Sequence, residues 1–408
     1  MIFDLFHSLG DPVVRGKSLG AARCFGQFIA QVQLAEALGM RAVWCAESHF
    51  SSEAQKASAR PSIPHYAGEV GLNADSFQLF HWIVAHTERI GLGTAIHNIV
   101  GGSGGPIASA DRVNLLRFMN EECWARPREI GIGIASGRFP YQNAPFGLTP
   151  RNRLEALAWP LFERIAFYEA VEIFLRLTAG ERLSSADLEP HELSRERVLA
   201  TVAHAAKTKA DPAEVAEREA LEAELAGFSF PHRVAPRWTF ETLQLMPACP
   251  SQHLRFVLGS SDAKALAIAR RHTAVDLFNL SFTPPERIEA LHAELAADDP
   301  TWKRERLPRT VLVFADPSRE RARERADAAL EVYIEAMRGT AQVPDKQVLL
   351  ARALVGDAAE LRERLAAGNA HGFHAADRLM LWFEFNQLEG AEIEAQMRYF
   401  FEEVVEKL

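Results

Sequence analysis

The stretch "LAEALGMRAVWCAESHF", residues 34–50, contains the change of pattern that decides the fold. Its first half ends a run of apolar residues at helical spacing, which starts near Leu19 and stops at Gly39, a residue suited to close a helix. From Met40 the pattern becomes a short apolar run of the kind that forms a buried strand. Glu47, Ser48 and His49 follow directly, where a strand gives way to a loop.

The same exchange recurs along the chain. Strands are expected at 2–9, 40–47, 89–96, 128–137, 254–261, 274–282, 309–315 and 378–385. Helical patterns occupy 19–39, 73–88, 262–272, 316–339, 356–368 and 390–408. Asp316 is expected to cap the fourth of these, with Pro317 in its first turn and Gly339 at its exit, and Asp357 to cap the fifth. Alternating strands and helices imply parallel strands with helical crossovers. Eight of them suggest a (β/α)8 TIM barrel spanning 1–408 as one domain, with its chemistry at the C-terminal strand ends. Residues 181–235 are charged, alanine-rich and helical in pattern without a strand, and read as a helical insertion serving as lid or oligomer contact. The loop "VGGSGGP", 100–106, lacks the Lys-Ser/Thr ending of a phosphate loop and reads as a mobile loop.

Composition narrows the class. The chain has 408 residues, 48% hydrophobic and 24% charged, with a net charge of −9 from interspersed acids and bases. That charge offers no basic stripe for nucleic acid and no polybasic membrane anchor. Cys24, Cys45, Cys123 and Cys249 are far apart, which fits a reducing cytoplasm better than a disulfide framework or a zinc site. The opening "MIFDLFHSLGDPVVRGK" has no signal-peptide pattern, and no segment is long and apolar enough to span a bilayer. No metal site is expected.

Several segments in order resemble the flavin-dependent bacterial luciferase-like monooxygenases. "LAEALGMRAVWCAESHF" resembles that family's helix–strand signature, which usually ends Glu-His-His-Phe. "TERIGLGTAI" (87–96) and "ADRVNLL" (110–116) are similar to its third strand and the helix after it. "GIGIASGRFPYQNAPFG" (131–147) and "LFERIAFYEAVEIFLRL" (161–177) resemble the fourth strand with its loop and the following Arg-containing helix. "LRFVLGSSDAKALAIARRH" (254–272), "VGDAAELRERL" (355–365) and "LMLWFEFNQLEGAEIEAQMRYFFEEVV" (379–405) resemble the phosphate-side strand and the C-terminal units. The resemblance implies a two-component enzyme that takes reduced FMN from a separate flavin reductase and uses O2 to oxygenate a small organic substrate. The alternatives are a deazaflavin-dependent oxidoreductase on the same barrel and a catalytically silent flavin-binding protein. A homodimer is expected, without nucleic-acid or membrane partners.

A flavin supplies its own redox chemistry, so the protein must bind, orient and exclude water. Gly259, Ser260 and Ser261 lie between a strand and a helix N-terminus, where free N–H groups and the helix dipole favour a phosphate. Asp262 is expected to face away from it. Arg164 matches the family's phosphate-contacting arginine. Ser136 stands where the family often has another arginine, and Arg138 is the nearby candidate to compensate. Gly93, Thr94 and Ala95 are implied to lie against the flavin ring, where small residues allow close backbone approach. His49 matches the second histidine of the family pair and Ser48 replaces the first. A serine hydroxyl cannot hold a proton near neutral pH as imidazole does. Glu47 and Glu384 are candidates to orient His49, and His7, ending the first strand, is a further acid/base candidate. Phe6, Trp44, Phe50, Trp382 and Phe383 are expected to form an apolar rim.

Overall fold

The computed structural model describes all of 1–408 except residues 59–60, 62, 138–139, 207–222, 250–251, 280–282, 341–342 and 367–371. Eight parallel strands form the barrel: β1 Ile2–His7, β2 Ala42–Cys45, β3 Gly91–Asn98, β4 Ile130–Ala135, β5 Leu254–Leu258, β6 Val275–Leu277, β7 Arg309–Ala315 and β8 Arg378–Trp382. Neighbours in sequence are neighbours in space, and β8 pairs with β1 in register Ile2 to Arg378. The ring closes just past β6: the Asn279 N–H donates to Pro308 O (2.9 Å), and Asn279 O accepts the Thr310 N–H (3.0 Å).

Each strand is followed by a helix that covers it: α1 Ala21–Ala37, α2 Ser76–His86, α3 Gly105–Phe118, α4 Trp159–Thr178, α5 Ala263–His272, α6 Pro285–Asp298, α7 Arg319–Ala336 and α8 Gly390–Tyr399. Strands covered on both faces are apolar without alternation, and every residue of β7 is buried. An extra strand, Leu354–Gly356, pairs with the end of β7 from outside the ring. No helix among the described residues is long and apolar enough to cross a membrane.

The barrel interior is filled by Phe6, Trp44, Ala95, Val257, Phe278 and Met380. Trp44 is the largest of these, 1% exposed, and its Nε1–H donates to Asp4 Oδ2 at 2.8 Å. Asp4 also holds Arg378 at 2.5 Å, and Arg378 reaches Glu129 at 3.0 Å. The Arg255 and Arg378 guanidinium groups lie 5.5 and 5.8 Å from the Trp44 ring centre. Two adjacent strands make room for the indole with glycine. A Cβ on Gly93 would come within 2.4 Å of it, and one on Gly131 within 2.6 Å.

Several expectations change here. Trp44 and Phe383 (0% exposed) are core residues and not part of a rim; Phe6 is also buried, whereas Phe50 is 48% exposed. Gly93 is explained by the indole inside the barrel. The cap of α7 is Ser318, whose hydroxyl accepts the Arg321 N–H. Asp316 lies two residues earlier and instead holds Arg321 and Arg325 at 2.9 Å each. The insertion contains helix Arg195–Ala206, but also a short antiparallel pair, His191–Leu193 with His232–Val234, which its charged sequence hides. Its entry and exit meet where Leu183 and Leu243 exchange two backbone hydrogen bonds. Leu193, Val198 and Leu225 bury its apolar side against the same core as α4.

The indole constraint is testable. Gly93→Ala is expected to destabilise the protein by about 1–3 kcal/mol, the usual effect of overpacking a rigid core, read from the urea midpoint. An unchanged midpoint would show that Trp44 has room to spare.

Candidate active site

The ends of β2 and β3 assemble a buried polar cluster at the mouth of the barrel. The Glu47 carboxylate is almost fully enclosed. Its Oε1 lies 3.1 Å from His49 Nε2, and its two oxygens lie 2.9 and 3.0 Å from His97 Nδ1. The Ser76 hydroxyl donates to Glu47 Oε2 (3.2 Å), and His97 Nε2 meets Ser109 Oγ at 2.9 Å. Burial alone would raise the carboxyl's pKa. The His97 and His49 imidazoles more than reverse this and hold it at about 2. His49 is 8% exposed at the opening, where its ring meets Phe50 and Phe146, each at 6.3 Å. Phe50 and Phe146 are themselves stacked at 6.0 Å and both exposed.

Beside this cluster a cleft of about 330 Å³ opens between α4 and the loops after β3, β4 and β5. Ser136, Arg164 and Ser260 line it together, although they are far apart in sequence. Arg164 is exposed and makes no hydrogen bond or ion pair among the described residues. Glu163 and Asp262 line the cleft as well. Asp262 therefore does not face away as expected. It caps α5 by accepting the Ala265 N–H (2.9 Å), and with burial it helps to push the Tyr168 phenol up to about 12.

An amide ladder joins the two regions. Asn98 Nδ2 donates to Asn143 Oδ1 (2.8 Å), and Asn143 Nδ2 donates to Ser136 O (3.0 Å). The glycine-dense loop after β3 wraps this ladder closely. A Cβ on Gly101 would meet Asn143 at 2.4 Å, one on Gly102 would meet His49 at 2.9 Å, and one on Gly105 would meet Trp238 at 2.9 Å. Its glycines allow this close approach.

The remaining candidates divide. The Gly259 N–H is committed to Ile134 O in the β4–β5 ladder (2.9 Å), so it is not free for an anion. Ser261 is exposed, outside the cleft lining. Thr94 is fully buried and its hydroxyl donates to Gly133 O (2.9 Å). Ala95 faces the barrel interior, and the Ala95–Ile96 peptide is cis at the point where the β3–β4 register shifts. Glu384 does not orient His49. It accepts the Ser8 N–H and hydroxyl (2.6 and 2.8 Å) and sits 3.4 Å from His7. His7 Nδ1 accepts the Leu9 N–H, its Nε2 is sealed without a partner, and burial lowers its pKa. These bonds make His7 a core histidine. Ser48 donates its N–H to Asn73 O (2.8 Å), and its Cβ packs against Gly71. Arg138 lies outside the described residues. The sequence reading missed His97, Asn98, Ser76, Ser109 and Asn143. For the first two a signal existed, since they follow "GLGTAI" at the end of a barrel strand.

Barrel, cleft and buried carboxylate together define the class. The chain belongs to the luciferase-like monooxygenase family, whose model matches residues 3–375. Its fold is similar to that of monooxygenase RslO1 from Streptomyces bottropensis, at 19% identity and TM-score 0.65, covering 100% of this chain and 99% of that one. It is also similar to the oxygenating constituent of 3,6-diketocamphane monooxygenase from Pseudomonas putida, solved with FMN, at 13% identity and TM-score 0.56 over 100% and 99%. A third likeness is to an F420-dependent secondary alcohol dehydrogenase, at 14% identity and TM-score 0.53 over 99% and 98%. At such identities the likeness is one of fold. Among curated proteins, none matches the sequence.

The depressed Glu47 carboxyl has a consequence for acid stability. A carboxyl held below its unfolded value stabilises the fold above that unfolded value, about 4.3, and loses the contribution as pH falls toward about 2. Glu47→Gln is therefore expected to be less stable than wild type at pH 6, with the gap narrowing from about pH 4.5 down to about 2. Chemical denaturation at several pH values reads this, and a gap independent of pH would refute the ion-pair assignment.

Proposed function

We propose that the protein is a flavin-dependent monooxygenase that takes reduced FMN from a separate reductase and, with O2, oxygenates a small uncharged organic substrate. The observation that carries this reading is the convergence of unpaired Arg164 with Ser136 and Ser260 on one cleft at the C-terminal face of the barrel. A phosphate fits that set: it gains a guanidinium, two hydroxyls and the N-terminus of α5. Asp262 and Glu163 reduce the positive field, and Ser136 contributes no charge, so affinity rests mainly on Arg164.

The bound flavin would supply the oxygen-activating redox chemistry. This chain's residues bind, orient and shield. Arg164, Ser136 and Ser260 hold the phosphate end. His49 stands at the mouth and exchanges a proton with the substrate, while Phe50 and Phe146 give the opening an apolar, aromatic wall that suits a flat, uncharged substrate. The same cleft suits the phosphate of a deazaflavin coenzyme. That alternative is supported by the likeness to the F420-dependent dehydrogenase, and titration with both cofactors separates the two.

Arg164→Ala is expected to weaken FMN binding by about tenfold or more while changing riboflavin binding little, because a charge-assisted contact contributes about 1.5–3 kcal/mol. Equal weakening of both ligands would remove Arg164 from the site. His49→Ala should leave FMN affinity nearly unchanged and slow substrate oxygenation, measured as O2 uptake, by about 10²–10⁴-fold. Unaltered turnover would make His49 structural.

A further inference from the structure

The polar cluster at the mouth contains one histidine too many for a single acid/base role. His97 is 1% exposed, and both of its ring nitrogens are engaged, Nδ1 with Glu47 and Nε2 with Ser109. It cannot touch a substrate. His49 differs in one respect: its Nε2 is bonded to Glu47, while Nδ1 has no protein partner among the described residues and is not sealed from solvent. Its opposite, His7, has its free nitrogen enclosed.

We propose that Glu47 and His97 are positioning residues that fix the tautomer of His49. An ionised carboxylate accepts hydrogen bonds and donates none. Glu47 therefore selects the proton on His49 Nε2 and leaves the Nδ1 lone pair facing the mouth as the proton acceptor. When Nδ1 takes a proton, the imidazolium rests 3.1 Å from a carboxylate already in place. His97 is the brace. Its Nδ1–H spans both carboxylate oxygens, so Glu47 cannot rotate away from His49 without losing that contact and the Ser76 hydroxyl. The hydroxyl of Ser109, fully buried, closes the far side.

The network also has a direction. From Glu47 the bonds lead inward to Ser109, and through Ser76 to the Asn73 amide, which carries no proton onward. Both serines are fully buried. Among the described residues no bond carries a proton accepted by His49 beyond Ser109 or Asn73, so it leaves through the opening by which it came. Glu47 and His97 act as a fixed counter-charge and not as a wire. No other ionisable side chain is bonded to His49 or Glu47 among the described residues.

The assignment rests on the flavin reading only for the purpose of the proton, and its test needs no flavin. Nitrogen-15 spectra of histidine-labelled full-length protein at pH 8 report the tautomer, with the His49 signals identified by their loss in His49→Gln. The expected wild-type spectrum shows His49 in the Nε2–H form. In Glu47→Gln the preference should fall about tenfold or more, since the neutral amide replaces a charged acceptor. His97→Phe should also lower the preference, and His97→Gln, which keeps a donor toward Glu47, should restore most of it. A wild-type spectrum dominated by the Nδ1–H form overturns the proposal without any variant. So does a preference unchanged in Glu47→Gln, or equal loss in His97→Phe and His97→Gln. Failure to bind FMN alongside the expected spectrum would defeat the flavin reading and leave this one standing.

Discussion

The interior of the barrel is organised by one side chain. The Trp44 indole is too large for an interior lined evenly by branched residues, so the strands beside it yield, with Gly93 and Gly131 leaving space for its rings. Its N–H needs an acceptor in a dry place, and Asp4 supplies one. Asp4 in turn needs a cation, and Arg378 from the last strand provides it. A single aromatic residue thus links β1, β2, β3, β4 and β8. The opposite, C-terminal end of the same strands can then carry polar groups in fixed positions, because the ring beneath them is filled.

Much of this was legible in the sequence, for a physical reason. Parallel strands buried on both faces are short, mostly apolar runs, and all eight are visible as such, even where Asp4 or Asp276 interrupts one. Helix ends carry their own signals: Gly39 adopts the positive φ (81°) its position requires, and Asp357 caps its helix as read. Errors arose where two polar residues compete for one role. Asp316 and Ser318 both suit a helix cap, and only the packing of Arg321 and Arg325 against the aspartate decides between them. The antiparallel pair of the insertion was invisible because it is three residues a side and mostly polar.

The candidate site was half legible. Position on a barrel strand's end drew notice to Glu47 and His49, which the structure brings together. It could not tell that Glu384 turns to Ser8, or that a second imidazole would arrive from β3. Which carboxylate meets which histidine depends on side-chain directions across three strands, and spacing along one chain does not encode them. Glycine carries a second reason that spacing does not show: Gly93 and Gly102 each make room for a large neighbouring side chain.

The tight loop after β3 has a consequence for how such a protein changes over time. Gly101, Gly102 and Gly105 abut an asparagine of the cleft, the imidazole at the mouth, and Trp238 beyond the insertion. Trp238 is in turn anchored by its N–H to Glu169 of α4. A side chain added at any of these three glycines collides with one of these neighbours, so new substrate preferences cannot readily arise there. Position 146 is less constrained: Phe146 is exposed, whereas Gly147 beside it holds a positive φ (83°) and Leu148 is buried. Divergence among descendants of this chain is expected to accumulate at that position, with the glycine loop kept as inherited.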